Sequence, residues 1–128
     1  MIVYICDLVG HIPAMELKLE NKNVLVTAGS KGIGLATASG FRKCGAKDTI
    51  CGRSQDALDA AVAQMPGCLA LTGDVSRAEE IERVVAAATQ EFGGIDILVN
   101  NAGGPPPGNF RDWTRDDWIK ALDANMLT

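Results

Sequence analysis

Three closely spaced glycines near the start of the sequence, Gly29, Gly32 and Gly34, have the residue type and spacing of a phosphate-binding turn. They follow a short run of β-forming apolar residues, Val24 to Val26, which is typical of a strand buried on both faces of a parallel sheet. Because glycine has no side chain, a pyrophosphate can come close to the backbone of such a turn. The helix expected after Gly34 would direct its free N–H groups and the positive end of its dipole at the phosphates. The stretch therefore predicts a strand, a phosphate-binding turn and a helix.

The spacing of these glycines excludes the two commonest nucleotide-binding motifs. A Walker loop needs Gly-Lys-Ser/Thr, whereas Gly34 is followed by Leu35. The G-x-G-x-x-G pattern needs a third glycine or alanine at the position of Thr37. The sequence that begins at Thr27 is T-A-G-S-K-G-I-G, and it resembles the T-G-x-x-x-G-x-G signature of the short-chain dehydrogenases/reductases. Ala28 replaces the first glycine of that signature, and the extra methyl group is tolerable there if φ is negative.

Segments with the periodicities of strands and helices alternate along the rest of the chain. Strand-like apolar runs are predicted at 48–52, 68–71 and 95–99, with helix-like segments between them. Such alternation predicts right-handed βαβ units and a parallel sheet. The predicted fold class is α/β, a doubly wound parallel sheet (Rossmann fold) that is incomplete at its C-terminal end. We expect it to take up residues 15–128, with residues 1–14 as a non-functional N-terminal extension.

Local signals predict where the helices begin and end. Gly45 is placed to end the first helix, and Ser54 to cap the start of the second. Two capping boxes, at 76–79 and 114–117, are expected to open the later helices. The predicted buried stripe of the first helix consists of Ile33, Ala36, Thr37, Gly40, Phe41 and Cys44.

The composition is that of an ordinary globular protein. The 128 residues are 47% hydrophobic and 22% charged, which excludes a disordered chain. The net charge of −4 gives no basic surface for nucleic acid, and the apolar start of the chain is too short to span a bilayer. We therefore expect no nucleic-acid partner, no membrane association and a cytoplasmic location.

The cysteines and the single histidine do not have metal-binding spacing. No C-x-x-C pair occurs among Cys6, Cys44, Cys51 and Cys68, and His11 has no second ligand beside it in the sequence. Buried free thiols in a reducing compartment are the expected state, and no metal site is predicted.

The residues after the second predicted strand favour NADP(H) over NAD(H). About 20 residues beyond the glycines, dinucleotide sites place a carboxylate for the ribose of NAD or a cation for the 2′-phosphate of NADP. Arg53 and Ser54 stand there, and no acid does. The guanidinium of Arg53 would pair well with the 2′-phosphate. Lys31, inside the glycine turn, could reach the same phosphate. The alternative is that Arg53 and Lys31 are solvated surface cations.

Two later motifs carry the same family resemblance. Asn101, Ala102 and Gly103 belong to an N-N-A-G sequence after a D-I-L-V strand, which in the family lies along the cofactor near the nicotinamide ribose. Asp74 resembles the family carboxylate that meets the adenine amino group, and Val75 the residue that packs on the ring. The alternatives are turn-forming asparagines and an ordinary helix-entry aspartate. The predicted cofactor-binding set is Thr27, Gly29, Ser30, Lys31, Gly32, Ile33, Gly34, Arg53, Ser54, Asp74, Val75, Asn101, Ala102 and Gly103.

The resemblance covers residues 17–128 and implies an NADP(H)-dependent oxidoreductase that reduces a carbonyl or oxidises a secondary alcohol. Asn125 lies seven positions after Trp118, on the expected inward face of the last helix, where a polar amide needs partners. It resembles the family asparagine that holds a water in a proton relay, which makes it the catalytic candidate; a satisfied core asparagine is the alternative. The family's catalytic tyrosine, with a lysine four residues later, has no counterpart, since the single tyrosine is Tyr4. We therefore expect an inactive N-terminal part of a reductase.

Further expectations rest on the resemblance alone. The prolines after N-N-A-G resemble those of 3-oxoacyl carrier-protein reductases. A complete form is expected to act on a small carbonyl or alcohol and to pair into a homo-oligomer through its last helix. A hypothesis of a different class is a non-catalytic dinucleotide-binding module, acting as a sensor or a partner subunit. Nucleotide-sugar epimerase chemistry is disfavoured, because that branch usually spaces its glycines differently and favours an acid at the ribose position.

Overall fold

The computed structural model describes residues 17–104 and 107–126. The predicted extension at 1–14 lies outside the described residues, and so do Cys6 and His11. In the described part, strands and helices alternate along the chain. They are β1 (Asn23–Val26), α1 (Gly32–Lys43), β2 (Lys47–Gly52), α2 (Gln55–Gln64), β3 (Leu69–Thr72), α3 (Ala78–Phe92), β4 (Ile97–Val99) and α4 (Arg115–Met126).

The four strands form one parallel sheet in the order β3-β2-β1-β4. β1 lies inside the sheet, with Val26 beside Ile50 of β2 and Val99 of β4. Because the strands are parallel, the turns that follow them gather at one end of the sheet. The strand order reverses between β1 and β4, which is where doubly wound sheets bind ligands. The predicted α/β fold with a doubly wound parallel sheet is confirmed. β3 and β4 are the two edge strands of this described sheet, and Leu98 of β4 is 54% exposed.

Helices on both faces of the sheet explain the apolar run in β1. Val24 and Val26 belong to a buried cluster with residues of α1 and α2. Leu25, between them, belongs to a second cluster with Val84 of α3. Side chains alternate between the two faces of a strand, so a strand covered on both faces needs consecutive apolar residues.

Three of the predicted helix-end signals are confirmed. Gly45 follows the end of α1 with a φ of +87°, in the left-handed region that glycine favours. The Ser54 hydroxyl accepts from the Ala57 N–H at 3.3 Å at the start of α2. Before α4, the Thr114 hydroxyl accepts from the Asp117 N–H at 3.3 Å and donates to the Asp117 carboxylate at 2.7 Å.

The capping box predicted at 76–79 is wrong. α3 begins at Ala78, and its N-cap residue is Arg77, whose side chain makes no capping hydrogen bond. The Ser76 hydroxyl instead donates to the carboxylate of Asp74 at 2.8 Å. The competing acceptor is two residues away, so Ser76 stabilises the turn after β3 rather than the helix.

The predicted stripe of α1 is correct at Phe41, which packs against the first buried cluster, and wrong at its start. Ile33 is 81% exposed, whereas Gly34 and Ala38 are buried. A Cβ on Gly34 would overlap the carbonyl oxygen of Ala28, at the end of β1. This close approach fixes the side of α1 that faces the sheet, and Ile33 consequently points to the open cleft at the strand ends.

We predict that Gly34→Ala destabilises the fold by about 2 kcal/mol, because the added methyl group meets backbone that cannot move aside. Gly40→Ala is the matched control in the same helix. Nothing lies within 4 Å of the carbon added there. That change should stabilise the fold by about 0.5–1 kcal/mol, since it removes the cost of a mid-helix glycine. Urea unfolding measures both free energies; a Gly34→Ala variant as stable as wild type would contradict the close contact.

Candidate dinucleotide-binding site

A cleft of about 1140 Å³ lies at the carboxyl ends of the four strands. The turns after the strands, the start of α1 and one side of α4 form its walls. Its lining brings together most of the residues predicted from sequence, namely Ser30, Lys31, Ile33, Gly34, Arg53, Ser54, Asp74, Val75, Asn101, Ala102, Gly103 and Asn125. Thr27, Gly29 and Gly32 are not part of this lining. Thr27 lies instead at a neighbouring cavity of about 400 Å³.

A different structural constraint favours glycine at each of the three glycine positions of the turn. A Cβ on Gly29 would lie 2.7 Å from Cγ2 of Ile50, and the Gly29 N–H donates to the Cys51 carbonyl at 2.9 Å. The turn therefore passes directly over β2. Gly32 has a φ of +54°, which suits glycine. The lack of a side chain at Gly34 allows α1 to come close to the end of β1. Of the three glycines, only Gly34 lines the cleft, whereas Gly29 and Gly32 determine the shape of the turn.

Ala28 adopts a backbone conformation that we did not expect. Its φ is +45°, in the left-handed region, so the negative φ that would make the extra methyl group tolerable is not present. A residue with a Cβ is disfavoured there by about 1–2 kcal/mol. The position needs glycine for conformational reasons, and this chain tolerates alanine at a cost in stability.

Thr27 and Asn101 join the end of β1 to the end of β4. The Thr27 hydroxyl donates to the Asn101 carbonyl at 2.6 Å and accepts from the Asn101 N–H at 2.7 Å. The side-chain amide of Asn101 donates to the carbonyls of Thr27 at 3.2 Å and Ala28 at 3.3 Å. A Cβ on Gly34 would lie 2.7 Å from the same amide nitrogen. The asparagine of the N-N-A-G motif therefore holds the start of the glycine turn in place.

Two cations stand on neighbouring turns at one part of the cleft. Lys31 follows β1 and Arg53 follows β2, and both side chains are exposed and line the cleft. The two turns are in contact, because a Cβ on Gly52 would lie only 3.0 Å from the Ser30 hydroxyl. The residues that end and follow β2, Gly52 to Ser54, contain no acid. These two neighbouring turns therefore bring two cations to one part of the cleft.

Asp74 and Val75 form the corner after β3. The Asp74 carboxylate accepts from the N–H of Ser76 at 3.0 Å and from its hydroxyl at 2.8 Å. These bonds, the backbone one first, lower the pKa of the Asp74 carboxyl, and the positive charges of Arg53 and Arg77 lower it further. Asp74 is consequently an ionised hydrogen-bond acceptor at neutral pH.

Asn125 lies at the edge of the cleft and not in the core. It was expected on an inward, buried face, but α4 has no buried residue and Asn125 is exposed. Its amide nitrogen donates to the Ala121 carbonyl of its own helix at 2.8 Å. Helical periodicity predicts which residues share a side of α4 with Asn125. It does not show whether other parts of the protein cover that side.

Two tryptophans in the cleft were not predicted. Trp113 and Trp118 both line it, with ring centroids 5.3 Å apart and ring planes at 76°. A Cβ on Gly108 would lie 2.7 Å from Nε1 of Trp113, so the loop before α4 packs closely on this ring. The signal that could have found them is the position of both tryptophans of the chain shortly after the N-N-A-G motif.

The cysteines, the possible metal ligands and the helices of the described residues bear on the expectations about thiols, metals and membranes. Cys44, Cys51 and Cys68 are free, and Cys44 is only half-buried. Burial raises the pKa of the Cys51 thiol. Within 17–104 and 107–126, no three His, Cys, Asp or Glu residues form a group that could hold a metal ion. None of the helices in this part of the chain has the length and apolar character needed to cross a bilayer.

Comparison with known proteins shows to which family the chain belongs. The family described as short chain dehydrogenase matches residues 22–128. The chain belongs to the short-chain dehydrogenase family. The predicted resemblance to the short-chain dehydrogenases/reductases is confirmed.

The relatives are similar over a limited part of their length. Dehydrogenase/reductase SDR family member 4 of Sus scrofa is 44% identical over 113 residues, which are 84% of this chain and 40% of that protein. L-fucose dehydrogenase of Bos taurus is 33% identical over 115 residues, or 89% of this chain and 43% of that protein. A solved structure from Novosphingobium aromaticivorans, described as a short-chain dehydrogenase, is 27% identical with a TM-score of 0.77, covering 86% of this chain and 42% of that one. The chain thus spans about two fifths of the length of these family members. The 3-oxoacyl carrier-protein subtype stays a prediction.

We predict that Ala28→Gly stabilises the fold by about 1 kcal/mol, because it relieves the left-handed strain at a φ of +45°. Ala36→Gly is the same chemical change at an exposed position inside α1, where it should destabilise by about 1 kcal/mol. Thermal or urea unfolding of the two variants compares them directly. If Ala28→Gly is as destabilising as Ala36→Gly, the left-handed conformation of Ala28 is wrong.

Proposed function

We propose that this domain binds NADP(H) along the carboxyl ends of β1 to β4 and serves an NADP(H)-dependent short-chain oxidoreductase. The observation that carries the proposal is that the glycine turn meets two cations, Lys31 and Arg53, in one cleft. A dinucleotide phosphate needs both an approachable backbone and positive charge, and this cleft offers them side by side.

The start of α1 is suited to the pyrophosphate. Lys31, its N-cap residue, makes no side-chain capping bond, and the first turn of α1 contains no acid. The first N–H groups of a helix have no partner within the helix, and a pyrophosphate oxygen can accept from them. Exposed Ile33 and buried Gly34 would then lie beneath the bound coenzyme.

The charge around Arg53 supports NADP(H) rather than NAD(H). A 2′-phosphate on the adenosine ribose would find the Arg53 guanidinium and the Lys31 ammonium, with Ser30 and Ser54 as hydroxyl donors beside them. A guanidinium pairs with two phosphate oxygens at once, whereas a carboxylate at the same place would repel them.

The other coenzyme groups would meet the remaining predicted residues. Ionised Asp74 is an acceptor for the adenine amino group, with Val75 against the ring. Ala102 and Gly103, with Asn101 beneath them, line the opposite part of the cleft, where the nicotinamide ribose would lie. The assignment of these residues to the coenzyme is part of the proposal.

The bound coenzyme supplies a hydride to a carbonyl carbon or accepts one from a secondary alcohol. The family's proton donor, a tyrosine with a lysine four residues later, has no counterpart in these 128 residues, whose single tyrosine is Tyr4. We therefore propose that this chain alone binds the coenzyme without turnover, residues 15–128 forming an N-terminal part of the domain beside a non-functional segment at 1–14. We also propose that Asn125 serves the proton relay in the complete enzyme. That enzyme would act on a small carbonyl or alcohol, as a cytoplasmic homo-oligomer.

A non-catalytic dinucleotide-binding module is the second candidate, favoured by the same lack of a Y-x-x-x-K sequence in the chain. It shares the coenzyme site but would act as a sensor or a partner subunit. Oxidation of NADPH by the 128-residue protein with any ketone or aldehyde would exclude it, and would also contradict the expected lack of turnover.

We predict that the protein binds NADPH about tenfold more tightly than NADH, as expected when a charged pair contributes about 1.4 kcal/mol. Arg53→Ala should bring the two dissociation constants within about twofold by weakening NADPH binding alone. Arg111→Ala is the matched control, since Arg111 is exposed and does not line the cleft. Nicotinamide fluorescence gives both constants. Equal affinities in the wild type would overturn the NADP preference, and binding of neither coenzyme would overturn the proposed function.

A further inference from the structure

The corner after β3 is held by side chains from the first half of α3. Glu80 accepts a hydrogen bond from the backbone N–H of Asp74 at 2.8 Å, through Oε2. Arg83 donates from Nη2 to the carbonyl of Thr72 at 2.6 Å. The two peptide groups on either side of Gly73 are thus both bound by one helix.

The corner has little freedom to move as a whole. The Gly73 N–H donates to the Gly52 carbonyl at 2.9 Å, which ties the corner to the end of β2. A Cβ on Gly73 would lie 2.8 Å from Cγ2 of Val84, so α3 packs directly against it. The Asp74 carbonyl accepts from the Arg77 N–H at 3.0 Å, and the Asp74 N–H, on the peptide that joins Gly73 to Asp74, donates to Glu80.

Glu80 is itself held in place. Its other carboxylate oxygen, Oε1, lies 3.2 Å from Nε of Arg77, and its side chain is 33% exposed. The ion pair offsets the negative charge that Glu80 brings close to the carboxylate of Asp74. Glu80 lines the smaller cavity behind the corner and not the main cleft, so it would not touch a coenzyme there.

We propose that Glu80 is a positioning residue for the adenosine half of the coenzyme. It acts by holding the Asp74 backbone so that the Asp74 carboxylate and Val75 face the cleft. This inference rests on the proposed function, because it assigns the adenosine end to the corner after β3. Without the Glu80 hydrogen bond the corner would sample other orientations. The affinity for the coenzyme would then fall in proportion to the fraction of molecules whose corner has the orientation that binds it.

The test compares three probes of the full 128-residue chain by NMR titration. NADPH is the whole coenzyme, 2′,5′-ADP is its adenosine half and reduced nicotinamide mononucleotide is its other half. Glu80→Ala should weaken binding of NADPH and of 2′,5′-ADP by about fivefold, as when the competent corner falls to about one fifth of the population. Binding of the mononucleotide should stay unchanged. Glu79→Ala, an exposed neighbour in the same turn of α3, is the control and should change none of the three.

Conservative variants separate the hydrogen bond from the charge. Glu80→Gln keeps an acceptor oxygen but not the charge, so it should bind 2′,5′-ADP within about twofold of wild type. Glu80→Asp keeps the charge but is one methylene too short to reach the Asp74 N–H, so it should show the fivefold loss. It serves as the test if Glu80→Ala does not fold.

Each other outcome has a definite meaning. Unchanged binding in Glu80→Ala or Glu80→Asp would overturn the inference while leaving the proposed function intact. Equal weakening of all three probes would assign Glu80 a purely structural role and would also overturn it. Failure of the wild type to bind any probe would overturn the proposed function, and the inference with it.

Discussion

The close approach of Gly34 to the end of β1 is the constraint on which the site depends. A side chain at Gly34 would overlap the Ala28 carbonyl and would lie 2.7 Å from the amide of Asn101. Two motifs far apart in sequence, the glycine turn that begins at Thr27 and the asparagine after β4, therefore meet at one point. Their hydrogen bonds fix both the direction of α1 and the position of the turn.

The parallel sheet turns this local contact into a cleft. With β1 inside the sheet, the turns after β2 and β4 lie on either side of the glycine turn, and the corner after β3 lies beyond β2. Positive charge at Lys31 and Arg53 and the ionised carboxylate of Asp74 consequently line different parts of one cavity. An extended ligand with phosphates at its centre and a base at one end fits this distribution of charge.

Sequence was sufficient where one residue and its neighbours decide the conformation, as in the helix cap at Ser54 and the left-handed Gly45. It was insufficient where a contact across the sheet decides. The left-handed φ of Ala28 and the exposure of Ile33 depend on how the glycine turn and α1 pack at the sheet, which periodicity does not contain. The same holds for Asp48, which stands in an apolar-looking strand yet is fully buried as the partner of an arginine that lies 2.6 Å away. Most residues of the predicted site line one cleft, and the motifs to which they belong carry their own spacing in the sequence.

The most direct test of the account is a ¹H–¹⁵N NMR titration of the chain with NADPH, with residues mapped by their amide shifts. If the coenzyme binds at the strand ends, the changes concentrate in residues 30–34, 53–54, 74–75 and 101–103, and the amides of α2 beyond its first turn are unaffected. A saturable titration with its largest shifts elsewhere, such as along the outer face of α2, or no shifts at all, would contradict a dinucleotide site at the strand ends.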